Sequence, residues 1–391
     1  MRKSICLISF SPIERDSRVL RQIKYLAHHY DLTVIGYGKP HAEWRQLPNI
    51  RWVPVQRLKP KIHLVLLYLL LGKIWLPAYE RWYWLKPQHQ QAYRYLQSAQ
   101  YDAIYANEWD SLPLAANAVT SQKIPIIFDA HEYTIGEYRN VGILKKWLVP
   151  SAIAYLLRKY LPNVTASITV GETIAKKYVQ EFGINPIVVL NVPGFAPISH
   201  RKVDPTNLKL IHHGVAKRGR HLENMIRALS LCDQRFTLYF MLIEHDNGYI
   251  KDLKILANKI APGRVQFIDP VSPEKIVSTI SQYDIGFFIL KPVNESYLYA
   301  LPNKFFDFIM AGLAACIGPS PEMAALVQKY KFGCIAPTFE PHDVAKILHQ
   351  TSTPQWESMR SSAREAAREL NAEKEMKKII TLVNQLLSSE P

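Results

Sequence analysis

The chain has 391 residues, 48 Lys+Arg against 33 Asp+Glu, and a formal net charge of +15. Hydrophobic residues make up 48% and charged residues 21%, which excludes a mainly disordered chain, and the length suits about two to three domains. The four cysteines, Cys6, Cys232, Cys316 and Cys334, form no CxxC pair, so no zinc ribbon or disulfide scaffold is expected.

The opening MRKSICLISFSPIERDS has too short an apolar stretch for a signal peptide, and a reducing, cytoplasmic setting is expected. SICLISF at 4–10 reads as a strand, followed by a loop and a helix over about 17–29. Asp16 or Ser17 can cap that helix, with Val19, Leu20, Ile23 and Leu26 on one side. DLTVIGYG at 31–38 reads as the next strand, completing a parallel βαβ unit.

Residues 57–94 carry Arg57, Lys59, Lys61, Lys73, Arg81, Lys86 and Arg94 against the single acid Glu80. The apolar run IHLVLLYLLL at 62–71 lies among them with Trp75, Trp82, Trp84 and several tyrosines. The run is too short to span a bilayer, which takes about 20 apolar residues. Basic and aromatic residues around an apolar helix suit the membrane interface. Lys59, Lys61, Lys73, Trp75, Arg81, Trp82 and Trp84 are the expected contacts with an anionic surface. The other reading is a core helix followed by an aromatic helix packed on the same domain.

YDAIYAN at 101–107, PIIFDAHE at 125–132, SITVG at 167–171 and PIVVLNVP at 186–193 continue the strands, with a helix over about 172–182. A Pro-rich, polar stretch up to residue 207 reads as a linker. The alternation restarts with LKLIHHG at 208–214, a helix over about 222–232, then FTLYFMLI, RVQFID, YDIGFFIL and AACIG as strands. The tail from about Gln355 reads as helical.

The expected fold is therefore α/β, with two doubly wound Rossmann-like domains facing across a cleft. Expected boundaries are 1–193, a linker at 194–207, a second domain at 208–370, and a C-terminal helix at 371–391 packing back on the first. Ligands of such sheets bind at the carboxyl ends of the strands. Four clusters fall there. HHGVAKRGRHLE at 212–223 offers Gly214, Lys217, Arg218 and Arg220 to an anion beside a helix start; otherwise it is a solvated basic loop. ESYLYALPNKFFDF at 295–308 offers Glu295, Asn303, Lys304 and Asp307, with Asp307 able to accept from a ribose diol; otherwise it is an ordinary helix. FDAHEY at 128–133 presents His131 and Glu132, the catalytic candidates. YANEWDSLP at 105–113 presents Glu108, Trp109 and Asp110, a ring and two acids suited to a sugar or amphipathic acceptor; otherwise it is a packed loop. No metal site is visible.

In this order the motifs resemble the family 4 retaining glycosyltransferases of the GT-B fold, over nearly the whole length. DSRVLRQIKYL, YANEWDSLP, FDAHEY, SITVGETIAKKY and VLNVP resemble the family's N-terminal domain; HHGVAKRGRHLENMIRA resembles its donor-phosphate loop, and ALPNKFFDFIMAGLA the segment ending its ExxxxxxxE pair. The resemblance implies that Arg220 takes the place of a phosphate-contacting Lys, with Arg218 or Lys217 as its partner. It places the second acid of the pair on Asp307, the first on Tyr299, which is a departure, and a cleft histidine on His131. Arg18 joins Glu108, Trp109 and Asp110 on the acceptor side. The family's Gly-rich loop after the first strand is missing from SFSPIERD.

The implied activity is sugar transfer, with retention and without a metal or other cofactor, from a nucleotide-sugar to a lipid-linked or cell-surface glycan acceptor. The expected place is the cytoplasmic face of a membrane. Two alternatives stand beside it: a nucleotide-sugar epimerase of the same build, and a non-enzymatic basic protein binding membrane or nucleic acid. The first 195 residues carry 24 Lys+Arg against 13 Asp+Glu, a net of +11, and the rest only +4. Cations beside an apolar run suit lipid better than a nucleic-acid groove.

Overall fold

The computed structural model describes residues 2–40, 44, 47–119, 124–137, 142–199 and 201–388. His200 of the expected linker and residues 389–391 of the expected last helix lie outside the described residues. The chain divides into two units. The first holds Met1–Leu190, Asn294–Ser296 and Glu375–Pro391; the second holds Asn191–Val293 and Tyr297–Lys374.

The first unit is built on a parallel sheet. Its strands are β1 (Ser4–Pro12), β2 (Asp31–Tyr37), β3 (Ile50–Pro54), β4 (Ala103–Asn107), β5 (Ile126–Ala130), β6 (Ala166–Thr169) and β7 (Ile187–Val188), in the order β3-β2-β1-β4-β5-β6-β7. β4 and β5 are buried along their whole length, as strands covered by helices on both faces must be. The order reverses between β1 and β4, so the crevice where ligands bind such sheets lies at their carboxyl ends. Asp16 caps the first helix, Ser17–Leu26, its carboxylate accepting from the N–H groups of Arg18 and Val19 at 3.1 and 3.2 Å. That helix stops three residues short of the expected end. Met376, Ile379 and Val383 of the last helix join the apolar core of this unit with Ile5, Leu7 and Val34.

Two edge strands depart from the sequence reading. β3 comes from IRWVP, where only Val53 is buried and no alternation announces a strand. The expected strand at 186–193 shrinks to two residues of β7, pairing with β6; prolines at 186 and 193 deny it a longer ladder. Residues 57–94 form three helices, Ile62–Leu71, Ala78–Trp84 and Pro87–Gln97. Among the described residues no helix is long and apolar enough to cross a membrane.

The second unit holds β8 (Leu208–Ala216), β9 (Phe236–Glu244), β10 (Val265–Ile268), β11 (Ile285–Phe288), β12 (Ala314–Ile317) and β13 (Gly333–Ile335), parallel and in the order β10-β9-β8-β11-β12-β13. The short β13, GCI, is a strand the sequence reading lacks. The core gathers Phe236, Phe240, Phe287 and Trp356, each buried ring contributing about 1.5–3 kcal/mol. The order reverses between β8 and β11, and the helix Asn303–Met310 follows β11 in the chain.

Candidate functional site

In the second unit β8 carries His212, His213 and Gly214. Gly214 has φ +122°, a conformation L side chains avoid, and an added Cβ would lie 2.8 Å from the Lys304 ammonium nitrogen. Lys304 is only 8% exposed. Its Nζ lies 3.3 Å from His212 Nε2, while His212 Nδ1 lies 2.9 Å from the Phe287 carbonyl oxygen. A carbonyl oxygen can only accept, so Nδ1 carries the proton and Nε2 accepts from Lys304. Burial first, then the Lys304 charge, holds His212 well below the usual imidazole range, and the same causes push His213 down to about 3. Both imidazoles are therefore neutral near pH 7. Burial and then the neighbouring Arg220 push Lys304 down to about 7, with Asp307 opposing them.

Arg220 donates from Nη1 to the Val215 carbonyl at 3.1 Å. Its buried Nε, and the Nε2 of His213, have no hydrogen-bond partner among the described residues. His213 Nε2 stands 3.4 Å from Asp307 Oδ2 without hydrogen-bond geometry. Asp307 is one turn beyond Lys304 on the same helix face. Asn303 opens this helix and accepts from Asn191 Nδ2 at 2.8 Å.

One expected donor-side residue, Arg218, has its side chain committed elsewhere. The Arg218 side chain is turned onto Asp252 at 2.6 Å and lies over the Tyr249 ring, so it is not beside Arg220 and Lys304. Lys217 is exposed. Glu295 belongs to the first unit, where its carboxylate pairs with Lys177; the opposite charge holds it there.

In the first unit the carboxyl ends of β4 and β5 bring Glu108 and His131 together. Glu108 has φ +65°, a left-handed conformation in a non-glycine residue. Such backbone costs on the order of 1–3 kcal/mol and needs support. Ser111 Oγ supplies it by donating to the carbonyls of Asn107 and Glu108, at 2.6 and 2.9 Å. The turn sends the Glu108 carboxyl back, where Oε1 accepts from the His131 backbone N–H at 2.9 Å. Burial, then the charges of Glu132 and Asp110, raise the Glu108 carboxyl well above the usual range. Neutral His131 follows from burial, which lowers it against the pull of Asp129. Its Nε2 lies 2.8 Å from Asn107 Oδ1, and its Nδ1 lies 3.6 Å from Glu108. Glu132 is exposed, and its Oε2 accepts from Ser296 Oγ at 2.9 Å.

Below His131 lies Asp129, fully buried, accepting from Arg18 Nη2 at 2.7 Å, Arg18 Nε at 3.0 Å, Gln22 Nε2 at 2.6 Å and Tyr105 OH at 3.0 Å. Burial works against its charge, but Arg18 keeps it ionised and below the usual carboxylate range. Arg18 itself is 2% exposed and spends Nη1 on the Val189 carbonyl at 2.7 Å. The expectation of an acceptor-facing Arg18 is thus corrected: the buried Asp129 carboxylate takes its guanidinium.

Trp109 is nearly buried, stacked on Trp82 at 5.9 Å with the planes 3° apart. Lys86 Nζ lies 5.0 and 5.1 Å from the two rings. Burial pushes Asp110 up to about 6, with Lys86 opposing. Trp82 is therefore packed inward, not on a membrane face. Trp84 is half-buried against Tyr83 and Tyr93. Packing of ring on ring takes Trp82 from the expected interface, while Trp84 keeps part of its surface exposed. Lys59, Lys61, Trp75 and Arg81 are exposed, and Lys73 is half-buried.

Residues 17–191 match the family model described as Glycosyltransferase Family 4. Over that stretch the chain is similar to the family 4 glycosyltransferases. No curated protein matches the sequence. Solved structures share the fold over the whole length. HepE of Anabaena, in complex with UDP, is 14% identical with a TM-score of 0.71, covering 98% of this chain and 100% of that one. Sucrose-phosphate synthase of Thermosynechococcus elongatus is 14% identical with a TM-score of 0.72, covering 100% of both chains. An α,α-trehalose-phosphate synthase (UDP-forming) of Burkholderia vietnamiensis is 10% identical with a TM-score of 0.65, again over 100% of both. The two parallel-sheet units are those of the GT-B fold.

Sequence reasoning passes over His212, His213, Asn107 and Asp129 as site residues. The HHG motif carried a signal for the first two, since a solvated basic loop has no need of paired histidines before a glycine. The Lys304 cluster also predicts a pH dependence. An anion at Gly214 favours the ammonium form, so binding takes up a proton above about pH 7. Affinity for a nucleoside diphosphate should then be flat below that pH and fall above it by up to about tenfold per unit. Calorimetric titration across this range should give that slope for the native protein and a flatter one for Lys304→Arg.

Proposed function

We propose that this chain is a glycosyltransferase that moves a sugar from a nucleotide-sugar to a lipid-linked or cell-surface glycan acceptor, with retention at the anomeric carbon. The second unit takes the donor through its diphosphate at Gly214, Arg220 and Lys304, with Asp307 towards the ribose. The observation that carries this reading is the buried cationic cluster there. Among the described residues Arg220 Nε and His213 Nε2 lack partners, and Lys304 is pressed against Gly214 with its charge discouraged. A buried group in that condition is costly unless an anion satisfies it. HepE in complex with UDP, and with UDP-glucose, supports a uridine nucleotide-sugar as the first donor to test.

The transition state has oxocarbenium character at the sugar and growing negative charge on the leaving diphosphate. Arg220 and Lys304 are preorganised for that charge, so transfer requires no metal ion. On the first unit, neutral His131 contacts the transferred sugar without adding a competing positive charge. Glu132 assists at the sugar; Glu108 and Asp110 receive the acceptor. Glu108 and Asp110, both held above the usual carboxylate range, offer carboxyl oxygens to the acceptor's hydroxyl groups. The exposed apolar and basic residues around 59–76 and Arg81 favour a peripheral place on an anionic membrane, where a lipid-linked acceptor is met.

Thermal unfolding with a panel of nucleotide-sugars tests the donor half. A ligand at 100 times its Kd stabilises the native state by about 2.7 kcal/mol. At least one nucleotide-sugar should raise the melting temperature; no shift with any of them would remove this reading.

A further inference from the structure

The helix Ile62–Leu71 is aliphatic except for His63 and Tyr68, yet Leu69 is its only buried residue. Ile62 is 70% exposed, and the following turn adds Ile74, 92% exposed, with Trp75 and Leu76. This face continues onto a distant segment. The helix Ile143–Tyr160 packs against Ile62–Leu71 and Ala78–Trp84. Its first turns present Leu144 and Trp147, 50% and 55% exposed. Lys73 ties the two together: its Nζ donates to Ser151 Oγ at 2.7 Å and lies 4.7 Å from the Trp147 ring centre. Exposed Lys59, Lys61, Arg81, Lys145 and Lys146 belong to the same segments, and Arg81 lies over Trp75. The acid among them, Glu80, is engaged by Lys159 and by Tyr155 at 3.0 Å.

We propose that Leu144 and Trp147 form a second membrane anchor, seated with residues 62–76 in the headgroup–acyl boundary of an anionic bilayer, with Lys145 and Lys146 on the lipid phosphates. The inference rests on the membrane reading above and extends it to a helix that reading does not use. Trp favours that depth because its ring is apolar and its N–H polar, and lysines can lay their stems on apolar surface while the ammonium stays wet. Charge decides for lipid over a protein partner. Protein interfaces are depleted of lysine, whereas most of the cations in these segments are lysines. The apolar surface they surround is larger than single scattered residues would make.

Flotation with phosphatidylcholine vesicles, with and without phosphatidylglycerol, tests it on the full chain. Three paired variants are compared: Leu144→Ser with Trp147→Ser, Lys145→Ala with Lys146→Ala, and Ile74→Ser with Leu76→Ser. All six side chains are exposed, and an unchanged melting temperature checks that each variant folds. The first pair should weaken binding to anionic vesicles by about tenfold or more. The lysine pair should weaken it by a similar factor on anionic vesicles only. Native binding with loss in the 74/76 pair, but full binding by the 144/147 pair, overturns the second anchor and leaves the membrane reading standing. Full binding by the lysine pair overturns the phosphate contact. No flotation of the native chain overturns both readings at once.

Discussion

Replacing Arg220 by Ala together with Lys304 by Met should abolish sugar transfer and weaken nucleotide-sugar binding by about 10²–10⁴. Each residue offers a charge-assisted hydrogen bond to a diphosphate, and such bonds contribute about 1.5–3 kcal/mol apiece. Losing two costs about 3–6 kcal/mol, and every 1.4 kcal/mol is about tenfold. The variant should fold, because neither cation holds the sheet together: Arg220 has one backbone partner, and Lys304 donates to His212. Removal of the buried ammonium relieves its desolvation, so the melting temperature without ligand should hold or rise. Arg218→Ala is the contrast. Its guanidinium serves an exposed pair with Asp252, and the loss in binding should stay within about threefold. Calorimetric titration with UDP separates the two cases. Equal losses in both would mean that the basic loop acts as a diffuse charge and not through a shaped site.

The second large effect is on stability. Asp129→Ala should destabilise the first unit by about 3–5 kcal/mol, because it leaves the Arg18 guanidinium buried without a counter-charge. At roughly 2–4 °C per kcal/mol for a unit of this size, melting should fall by about 10 °C. Arg18→Met combined with Asp129→Ala should recover much of the loss, since an apolar pair of similar volume carries no such penalty. Gln22 and Tyr105 also lose an acceptor, so recovery should be partial. Thermal or urea unfolding of the single and double variants provides the check. A single variant within about 0.5 kcal/mol of the native protein would show that water reaches Arg18.

These two cases also mark what a sequence can reveal here. Arg18 and Arg220 each sit at a loop-to-helix junction after a strand, and composition treats them alike. Their fates depend on partners far away in the chain: Asp129, 111 residues from Arg18, and Lys304, 84 residues from Arg220. Trp75 and Trp82 pose the same problem. Both stand among cations, but only Trp82 has a ring at stacking distance. The central strands were legible because strands buried on both faces are continuous apolar runs. The Asp16 cap was legible because capping is local. β3 and β13 were not, and β7 was read too long, since two to five residues at a sheet edge carry no period of their own. The Lys304 helix was legible as a motif, but its closeness to His212 and His213 was not.

The central claim is that the cluster at Gly214 binds a nucleotide-sugar for transfer. Nucleoside diphosphate release from a panel of nucleotide-sugars, with a membrane extract as acceptor source, tests it most directly. Release should occur with at least one donor, depend on the extract, and vanish when Arg220 and Lys304 are replaced together. Release that persists in that double variant, or no release from any donor, would contradict it.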